Sequence, residues 1–290
     1  MFGVIAAVPT AINPEGEPIV DTFLSHCSWM LKNGCDGINI LGSTGEANSL
    51  DSHQRKVVME SASKALDNTK LMVGTATPSL SETVHLTQIA DDFGYKVALV
   101  LPPYYYKPID NRGLFLWYQT LHEKLYNRKI KIYFYNFPQM TGLIISHDVI
   151  TKLHSEWPNR FGGIKDSSGD LDYCRILSKN QNFKVFPSSE ISISEASISN
   201  FSGCISATVN QTSFLSSKAW RNKSENIDGL VKKLKAIREI ISHESLIPSI
   251  KYLVYLRTKD ESWKNLLPPL NILSQARQKE LKAVYNNLLL

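Results

Sequence analysis

Short apolar runs and longer amphipathic runs alternate eight times along this 290-residue chain. Short runs rich in β-branched or apolar residues, set between turn residues, are typical of buried strands. Parallel strands need a long crossover connection, usually a helix, so this alternation favours a parallel sheet over antiparallel hairpins. The eight predicted strands cover residues 4–8, 37–41, 71–74, 97–101, 130–135, 163–165, 184–186 and 204–206.

Amphipathic stretches separate the predicted strands, and several begin with a residue that suits a helix N-terminus. Such positions are held by Asp51 or Ser52, and by Ser81, Ser146 and Asp170. A side-chain oxygen there can accept a backbone N–H. These helices are predicted at residues 21–32, 52–66, 81–93, 111–126, 146–154, 170–178 and 189–199. Two further helices are predicted near the C-terminus, at residues 226–242 and 275–288.

Eight strand–helix repeats in about 220 residues fit the size of a (β/α)8 barrel. The sequence therefore predicts an α/β protein: a (β/α)8 TIM barrel over residues 1–214, with additional C-terminal helices over residues 215–290 packed on it. A doubly wound open sheet is the alternative. It would usually show a glycine-rich phosphate turn after the first strand, and Val8-Pro9-Thr10-Ala11 is not such a turn.

Composition excludes several classes of function. The net charge of +5 is spread along the chain, whereas a nucleic-acid binder concentrates basic residues on one element. No apolar run approaches the length of a membrane helix, and the first ten residues lack the basic leader of a signal peptide. The histidines form no metal-ligand motif. We therefore predict a cytoplasmic protein without nucleic-acid or membrane partners, whose four cysteines are reduced core thiols.

Lys165 is the residue best suited to chemistry. It ends the sixth predicted strand, directly after the apolar run Gly162-Gly163-Ile164. Burial at a strand end disfavours the ammonium form of a lysine and frees the amine to attack a carbonyl. Tyr135 ends the fifth strand, and neighbouring strands lie about 4.8 Å apart. We therefore expect the two side chains to meet at the carboxyl edge of the barrel, where (β/α)8 enzymes carry their active sites.

The turn Gly42-Ser43-Thr44-Gly45-Glu46 follows the second strand. Backbone N–H groups exposed in such a turn can hold an anion, so Ser43 and Thr44 are predicted to bind a carboxylate. No Gly-Lys-Ser/Thr sequence follows at the spacing of a nucleotide P-loop. An amine, a phenol that moves protons and a carboxylate site are the parts that a Schiff-base lyase needs.

Five motifs, in the right order, resemble the dihydrodipicolinate synthase/N-acetylneuraminate lyase family of class I pyruvate aldolases. They are Gly42-Ser-Thr-Gly-Glu46, Pro103-Tyr-Tyr105, Tyr135-Asn-x-Pro-x-x-Thr-Gly142, Gly163-Ile-Lys-Asp-Ser-Ser-Gly169 and Gly203-x-Ile-Ser206. The resemblance implies a barrel assembled as a homotetramer, a dimer of tight dimers, that uses no metal or organic cofactor. It implies that Lys165 forms a Schiff base with pyruvate.

The resemblance also assigns roles to other site residues. Tyr135 would transfer protons through the Ser43 hydroxyl, and Tyr105 would reach into the neighbouring subunit's site. Thr44, with Gly42, would bind the pyruvate carboxylate, and the backbone near Ile205 would line the pyruvate pocket. Beyond the resemblance, we expect residues that follow the sixth and seventh predicted strands to hold hydroxyls of a small 2-keto-3-deoxy sugar acid: Ser167, Ser188, Ser189 and Glu190.

The preferred second substrate differs within this family. Similar dihydrodipicolinate synthases carry an arginine, which binds the aldehyde's carboxylate, where this chain has Met140. Methionine cannot supply that bidentate contact, whose loss costs on the order of 1.5–3 kcal/mol. Sialic acid lyases are similar at Ser43, but their Gly-x-Asp-Glu loop reads Ser188-Ser189-Glu190 here, and Ala207 replaces a serine.

We therefore predict a class I lyase that joins or separates pyruvate and a small aldehyde and acts on a 2-keto-3-deoxy sugar acid. Pro103-Tyr-Tyr-Tyr106 and Tyr135-Asn-Phe-Pro138 also resemble 2-keto-3-deoxygluconate aldolases. The alternatives are 4-hydroxy-tetrahydrodipicolinate synthase, which condenses pyruvate with aspartate semialdehyde, N-acetylneuraminate lyase, and a non-catalytic sensor that binds pyruvate.

Overall fold

A computed structural model describes residues 1–286 of the chain. Its centre is one sheet of eight parallel strands in the order β7-β6-β5-β4-β3-β2-β1-β8. The outer strands β7 and β8 approach each other as well, since the Ser202 N–H donates to the Val185 carbonyl at 2.8 Å. The strands are β1 Gly3–Ala7, β2 Gly37–Ile40, β3 Leu71–Gly74, β4 Val97–Val100, β5 Lys131–Asn136, β6 Phe161–Asp166, β7 Lys184–Pro187 and β8 Gly203–Ser206.

Helices surround the sheet and continue beyond it. Most begin at a capping residue: the side chains of Asp51, Ser79, Asp110 and Ser146 each accept a backbone N–H from the first turn of their helix. The helices are α1 Val20–Lys32, α2 Ser52–Ala65, α3 Leu80–Asp92, α4 Asn111–Lys124, α5 Pro138–Thr141, α6 His147–Glu156, α7 Leu171–Leu177, α8 Val209–Arg221, α9 Asp228–Ser242, α10 Leu246–Thr258 and α11 Gln275–Val284.

The structure confirms the predicted (β/α)8 barrel with C-terminal helices. Every predicted strand is present within two residues at each end. The predicted boundary at residue 214 falls inside α8, which packs against β1, so the division into two parts stays a prediction. Two residues of the last predicted helix, 287 and 288, lie outside the described residues.

The prediction of an α-helix at residues 189–199 is wrong. The structure has a 3-10 segment at Glu190–Glu195 instead. Ser189, Ser192 and Ser194 each hydrogen-bond to a backbone group two or three residues away, and such local bonds compete with the α-helical ladder. No separate helix is predicted from the sequence at α8 or at α10, although α10 lies within the C-terminal part that is predicted to be helical. Buried residues surround most of α10 and leave little helical periodicity to recognise.

Two apolar clusters stabilise the molecule. The larger fills the barrel and the layer between its strands and helices. A second cluster joins α9, α10 and α11 through Ile237, Ile250, Leu253 and Leu281. All four cysteines are buried and unbonded, as predicted. Within residues 1–286, no helix combines the length and the apolar content needed to cross a membrane.

Candidate active site

Lys165 and Tyr135 stand side by side at the carboxyl ends of β6 and β5. The two residues are register partners in the parallel ladder, and both side chains are at least 95% buried. Lys165 Nζ donates to Tyr135 Oη at 3.1 Å and lies 4.3 Å from the centre of the tyrosine ring. The register thus brings an amine and a phenol within proton-transfer distance in a site shielded from bulk water.

The Ser43 hydroxyl extends this pair into a chain of three polar groups. Ser43 Oγ lies 3.4 Å from Tyr135 Oη, and either group can donate. The Phe137 ring stacks on the tyrosine ring with centroids 5.6 Å apart, which restricts the orientation of the phenol. The structure therefore brings together Lys165, Tyr135 and Ser43, three of the four predicted catalytic residues.

The turn that carries Ser43 is bounded by two residues in the left-handed region. Leu41 has φ 51° and Glu46 has φ 56°, conformations that non-glycine residues adopt at a cost. Gly74 on β3 permits the first of them, because a Cβ at residue 74 would lie 2.0 Å from the Leu41 carbonyl oxygen. At the other end, Thr10 Oγ1 donates to the Gly45 carbonyl at 2.8 Å. The turn is thus held in a specific, strained shape.

A second polar pair stands one residue further along β5 and β6. Asn136 Nδ2 donates to Asp166 Oδ1 at 2.7 Å, and the Ile145 N–H donates to Asn136 Oδ1 at 3.1 Å. Burial raises the pKa of Asp166, while hydrogen bonds from Asn136 and Ser168 oppose that rise. Side chains alternate between the two faces of a strand, so this pair points away from Lys165 and fixes the alignment of the two strand ends.

The sequence reading missed Arg55, which lies beside the candidate site. Arg55 lines a cavity together with Ser43 and Tyr135, although only 3% of the residue is exposed. Its Nη2 donates to the Gly74 and Ala76 carbonyls at 3.2 and 3.3 Å. Burial lowers the pKa of Arg55 to about 10, so the guanidinium still carries its positive charge at neutral pH.

Helical spacing could have found this arginine. Arg55, Val58, Met59 and Ala62 are the buried residues of α2, and this spacing forms one face of a helix. An arginine in the apolar stripe of a helix is unusual, since arginine is seldom fully buried without partners. Such a position is therefore a signal for a functional or structural role.

The loops after β5 and β6 form the rim of the site. Gln139 Nε2 donates to the Ser168 carbonyl at 2.9 Å and so joins the two loops. Met140, at the position where the resemblance expects an arginine, is 66% exposed. Lys107 contacts the same segment, but its Nζ donates to the Thr141 carbonyl at 2.8 Å.

Glu190 belongs to a separate polar cluster between β7 and β8. Its carboxylate accepts from Ser206 Oγ at 2.7 Å, Thr208 Oγ1 at 2.6 Å and Thr212 Oγ1 at 3.1 Å. Arg238 Nη1 on α9 completes the cluster at 3.0 Å from Glu190. Glu190 is fully buried, and protein donors already occupy its oxygens. The structure therefore favours a structural role for Glu190 over the predicted contact with substrate.

The other predicted residues lie at the same edge of the barrel. Gly42 and Thr44 are buried in the turn after β2, and Ile205 is buried in β8, paired with β1. Ser167 and Ser188 are half-buried, and their N–H groups extend the sheet by bonding to β5 and β6 carbonyls at 2.7 and 2.8 Å.

Tyr105 is arranged differently from the other predicted catalytic residues. Its side chain is 72% exposed, and its ring packs edge-on against Tyr106 with centroids 5.2 Å apart. A large exposed aromatic pair of this kind is typical of a surface that another protein covers.

Comparison with known proteins agrees with the fold and the site. The sequence profile described as the dihydrodipicolinate synthetase family matches residues 1–288. An uncharacterized DapA-like lyase of Chloroflexus aurantiacus is 25% identical over 297 aligned positions, covering 99% of this chain and 97% of the relative. The 4-hydroxy-tetrahydrodipicolinate synthase of Campylobacter fetus is 30% identical, with 83% and 82% of the two chains covered.

A solved structure shows the same architecture. The chloride-inhibited dihydrodipicolinate synthase from Acinetobacter baumannii, crystallised with pyruvate, has a TM-score of 0.87 and 25% identity to this chain, with 98% of each chain covered. A barrel with a buried lysine at a strand end, set against a phenol, fits the imine chemistry of a class I aldolase. The chain belongs to the dihydrodipicolinate synthetase family, and it is accordingly a lyase that uses pyruvate.

Proposed function

We propose that this lyase acts on a 2-keto-3-deoxy sugar acid, which it cleaves to pyruvate and a small hydroxylated aldehyde through an imine on Lys165. The observation that carries the proposal is the 3.1 Å contact between Lys165 Nζ and Tyr135 Oη. It supplies a buried amine nucleophile together with an acid–base group, which are the two requirements of imine chemistry.

The proposed reaction begins when the Lys165 amine attacks the C2 ketone of the substrate. Loss of water from the carbinolamine gives the imine, with Tyr135 supplying and accepting the protons through Ser43. Removal of the C4 hydroxyl proton then breaks the C3–C4 bond, releases the aldehyde and leaves the bonding pair as an enamine. Protonation at C3 and addition of water return pyruvate and the free lysine. The reverse sequence joins pyruvate to an aldehyde.

In this proposal the turn after β2 holds the carboxylate of pyruvate. Thr44 offers its hydroxyl and its backbone N–H, and Gly42 allows the chain to approach the ligand closely. The Ile205 backbone forms the opposite wall. Support comes from the position of all three residues at the carboxyl edge of the barrel, and from the Acinetobacter baumannii relative, which was crystallised in complex with pyruvate.

The rim of the site favours an aldehyde without a carboxylate. Met140 is 66% exposed and offers no positive charge at the position where the resemblance expects an arginine. Ser167 and Ser188 are half-buried and carry hydroxyls suited to polyol substrates. Glu190 contributes in this proposal by fixing β8 rather than by touching the substrate.

Assembly is part of the proposal. Tyr105 would complete the active site of a neighbouring copy within a homotetramer in the cytoplasm. Its side chain is 72% exposed and can therefore reach toward a neighbouring subunit. Within residues 1–286, no hydrogen bond joins Tyr105 to Tyr135.

A second candidate function is 4-hydroxy-tetrahydrodipicolinate synthesis from pyruvate and aspartate semialdehyde. The name of the Campylobacter fetus relative, at 30% identity, favours it. This reaction would require a group other than residue 140 to bind the semialdehyde carboxylate.

Trapping with pyruvate and sodium borohydride tests the imine. The hydride reduces the C=N bond to a stable secondary amine, and we expect peptide mapping to place the adduct on Lys165. An adduct elsewhere, or none, would reject the proposed mechanism.

A substrate panel tests the choice of aldehyde. We expect pyruvate release from 2-keto-3-deoxy sugar acids and little consumption of aspartate semialdehyde. The matched variant is Met140→Arg, which introduces a guanidinium able to bind the semialdehyde carboxylate through two hydrogen bonds. It should improve use of the semialdehyde on the order of tenfold to a hundredfold. Efficient semialdehyde turnover by the unaltered protein would instead establish the second candidate.

A further inference from the structure

A buried ion pair joins the active-site turn to the C-terminal helices. Lys251 Nζ on α10 lies 2.6 Å from Glu46 Oε1, and both side chains are 99% buried. The second carboxylate oxygen of Glu46 accepts the Leu267 N–H at 2.8 Å. Both oxygens of Glu46 are therefore held by residues more than 200 positions away in the sequence.

Glu46 ends the turn that carries Ser43 and Thr44. Its backbone is left-handed, with φ 56°, and its N–H closes the turn by donating to the Ser43 carbonyl at 3.1 Å. A non-glycine residue keeps such a conformation only when its surroundings impose it. The contacts from Lys251 and Leu267 to the Glu46 carboxylate therefore hold the side chain of this strained residue.

Stability alone does not explain the pair. Burial lowers the pKa of Lys251, and the nearby Glu46 carboxylate opposes that decrease. Desolvation of two charges is costly enough that apolar replacements of buried ion pairs are often neutral or stabilising. A buried pair at the end of a strained turn is better explained by the geometry that it imposes.

We propose that Glu46 and Lys251 are positioning residues, which hold the Ser43–Thr44 turn in the shape that binds the carboxylate of pyruvate. The inference rests on the proposed role of Thr44. Neither residue needs to touch the substrate. The C-terminal helices thereby set the affinity for pyruvate, while Lys165 and Tyr135 on β6 and β5 carry out the chemistry.

The pyruvate concentration that gives half the maximal rate of borohydride trapping tests the inference without an identified aldehyde. The variants are Lys251→Met, which removes the cation, and Glu46→Gln with Lys251→Met, which also removes the orphaned charge. Arg277→Met is the matched control. Arg277 is another buried cation of the C-terminal layer, but it bonds to the Ile240 and Ile241 carbonyls rather than to the turn.

We expect Lys251→Met to raise the half-maximal pyruvate concentration on the order of tenfold to a hundredfold, with a smaller change in the maximal trapping rate. The double variant should regain thermal stability but keep a raised pyruvate requirement. Arg277→Met should lower the melting temperature and leave the pyruvate requirement unchanged.

The inference is overturned if the double variant recovers normal pyruvate affinity together with its stability. It is also overturned if Arg277→Met weakens pyruvate binding as much as the Lys251 variants do. A third contrary result is a half-maximal pyruvate concentration that stays unchanged in both Lys251 variants while the unaltered protein is trapped normally. That result would reject this inference and leave the proposed function standing. Absence of any adduct in the unaltered protein would reject the proposed function as well. The double variant keeps the test decisive if Lys251→Met does not fold.

Discussion

Two polar clusters stand at the same edge of the barrel, and they differ in how completely their hydrogen bonds are satisfied. At β5 and β6, Lys165 is a buried lysine whose described partner is the phenol of Tyr135. At β7 and β8, Glu190 is a buried anion with three hydroxyl donors and the Arg238 guanidinium. The first cluster retains bonding capacity for a ligand, whereas the second has none to spare.

This difference teaches that position at a strand end does not by itself make a residue functional. Both clusters satisfy the rule that polar groups gather at the carboxyl face of a (β/α)8 barrel. We propose that unfilled hydrogen-bonding capacity next to a cavity distinguishes the Lys165 cluster, as the reactive one, from the Glu190 cluster. If the two clusters separate activity from stability, substitutions in the Lys165 cluster should lower turnover and substitutions in the Glu190 cluster should lower stability.

The largest expected effect is the loss of activity in Lys165→Arg. The guanidinium of arginine is not a nucleophile and cannot form the imine, so imine trapping and turnover should fall to background. Lys184→Arg, at the opposite end of the neighbouring strand β7, is the matched control and should react normally. Residual trapping of pyruvate in Lys165→Arg would show that another amine forms the imine.

Tyr135→Phe should lower kcat about a hundredfold to ten-thousandfold, because general acid–base catalysis contributes on that order. The control is Tyr133→Phe on the same strand, since Tyr133 is equally buried. Initial rates measure kcat of both variants, and thermal melting measures their stability. Similar losses of activity in the two variants would contradict a specific role for the Tyr135 hydroxyl.

Arg238→Met should affect stability rather than chemistry. It leaves the fully buried Glu190 without its cation, which should reduce the free energy of unfolding by about 3 kcal/mol. Lys235→Met on the same helix removes an exposed ion pair, and its effect should stay below about 0.5 kcal/mol. Urea unfolding with parallel rate measurements checks both. A severe fall in kcat without destabilisation would show that the Glu190 cluster contributes to catalysis.

A third polar cluster, around His26, should make stability depend on pH. Arg257 Nη2 donates to His26 Nδ1 at 2.8 Å, so the ring proton lies on Nε2, which donates to Asn210 Oδ1 at 2.9 Å. Burial, followed by the charge of Arg257, lowers the pKa of His26 from 6.5 to about 3. At pH values between about 3 and 6.5, His26 therefore binds a proton in the unfolded chain but stays neutral in the folded protein.

The stability contributed by neutral His26 is therefore present above pH 6.5 and is lost as the pH falls toward about 3. The loss approaches about 1.4 kcal/mol per pH unit. Urea unfolding at pH values from 7 down to about 5, where few carboxylates titrate, measures the slope. His26→Gln should flatten it, and an identical slope in the variant would assign the dependence to other groups.

The sequence by itself determined the alternation of eight strands and helices, and with it the residues that stand at strand ends. Lys165 and Tyr135 could be paired in advance because strand spacing is constant and the two strands are consecutive. Met140 could be recognised as a departure from similar sequences, since that inference needs only the position of a residue in a motif.

Only the tertiary structure decided which polar residues are free and which are occupied. Glu190 meets Arg238 across 48 positions, and Glu46 meets Lys251 across 205. Local periodicity reports which face of an element is buried, and it carries no information about which distant side chain packs there. The role of a buried charge depends on its partner, so folding settles that role.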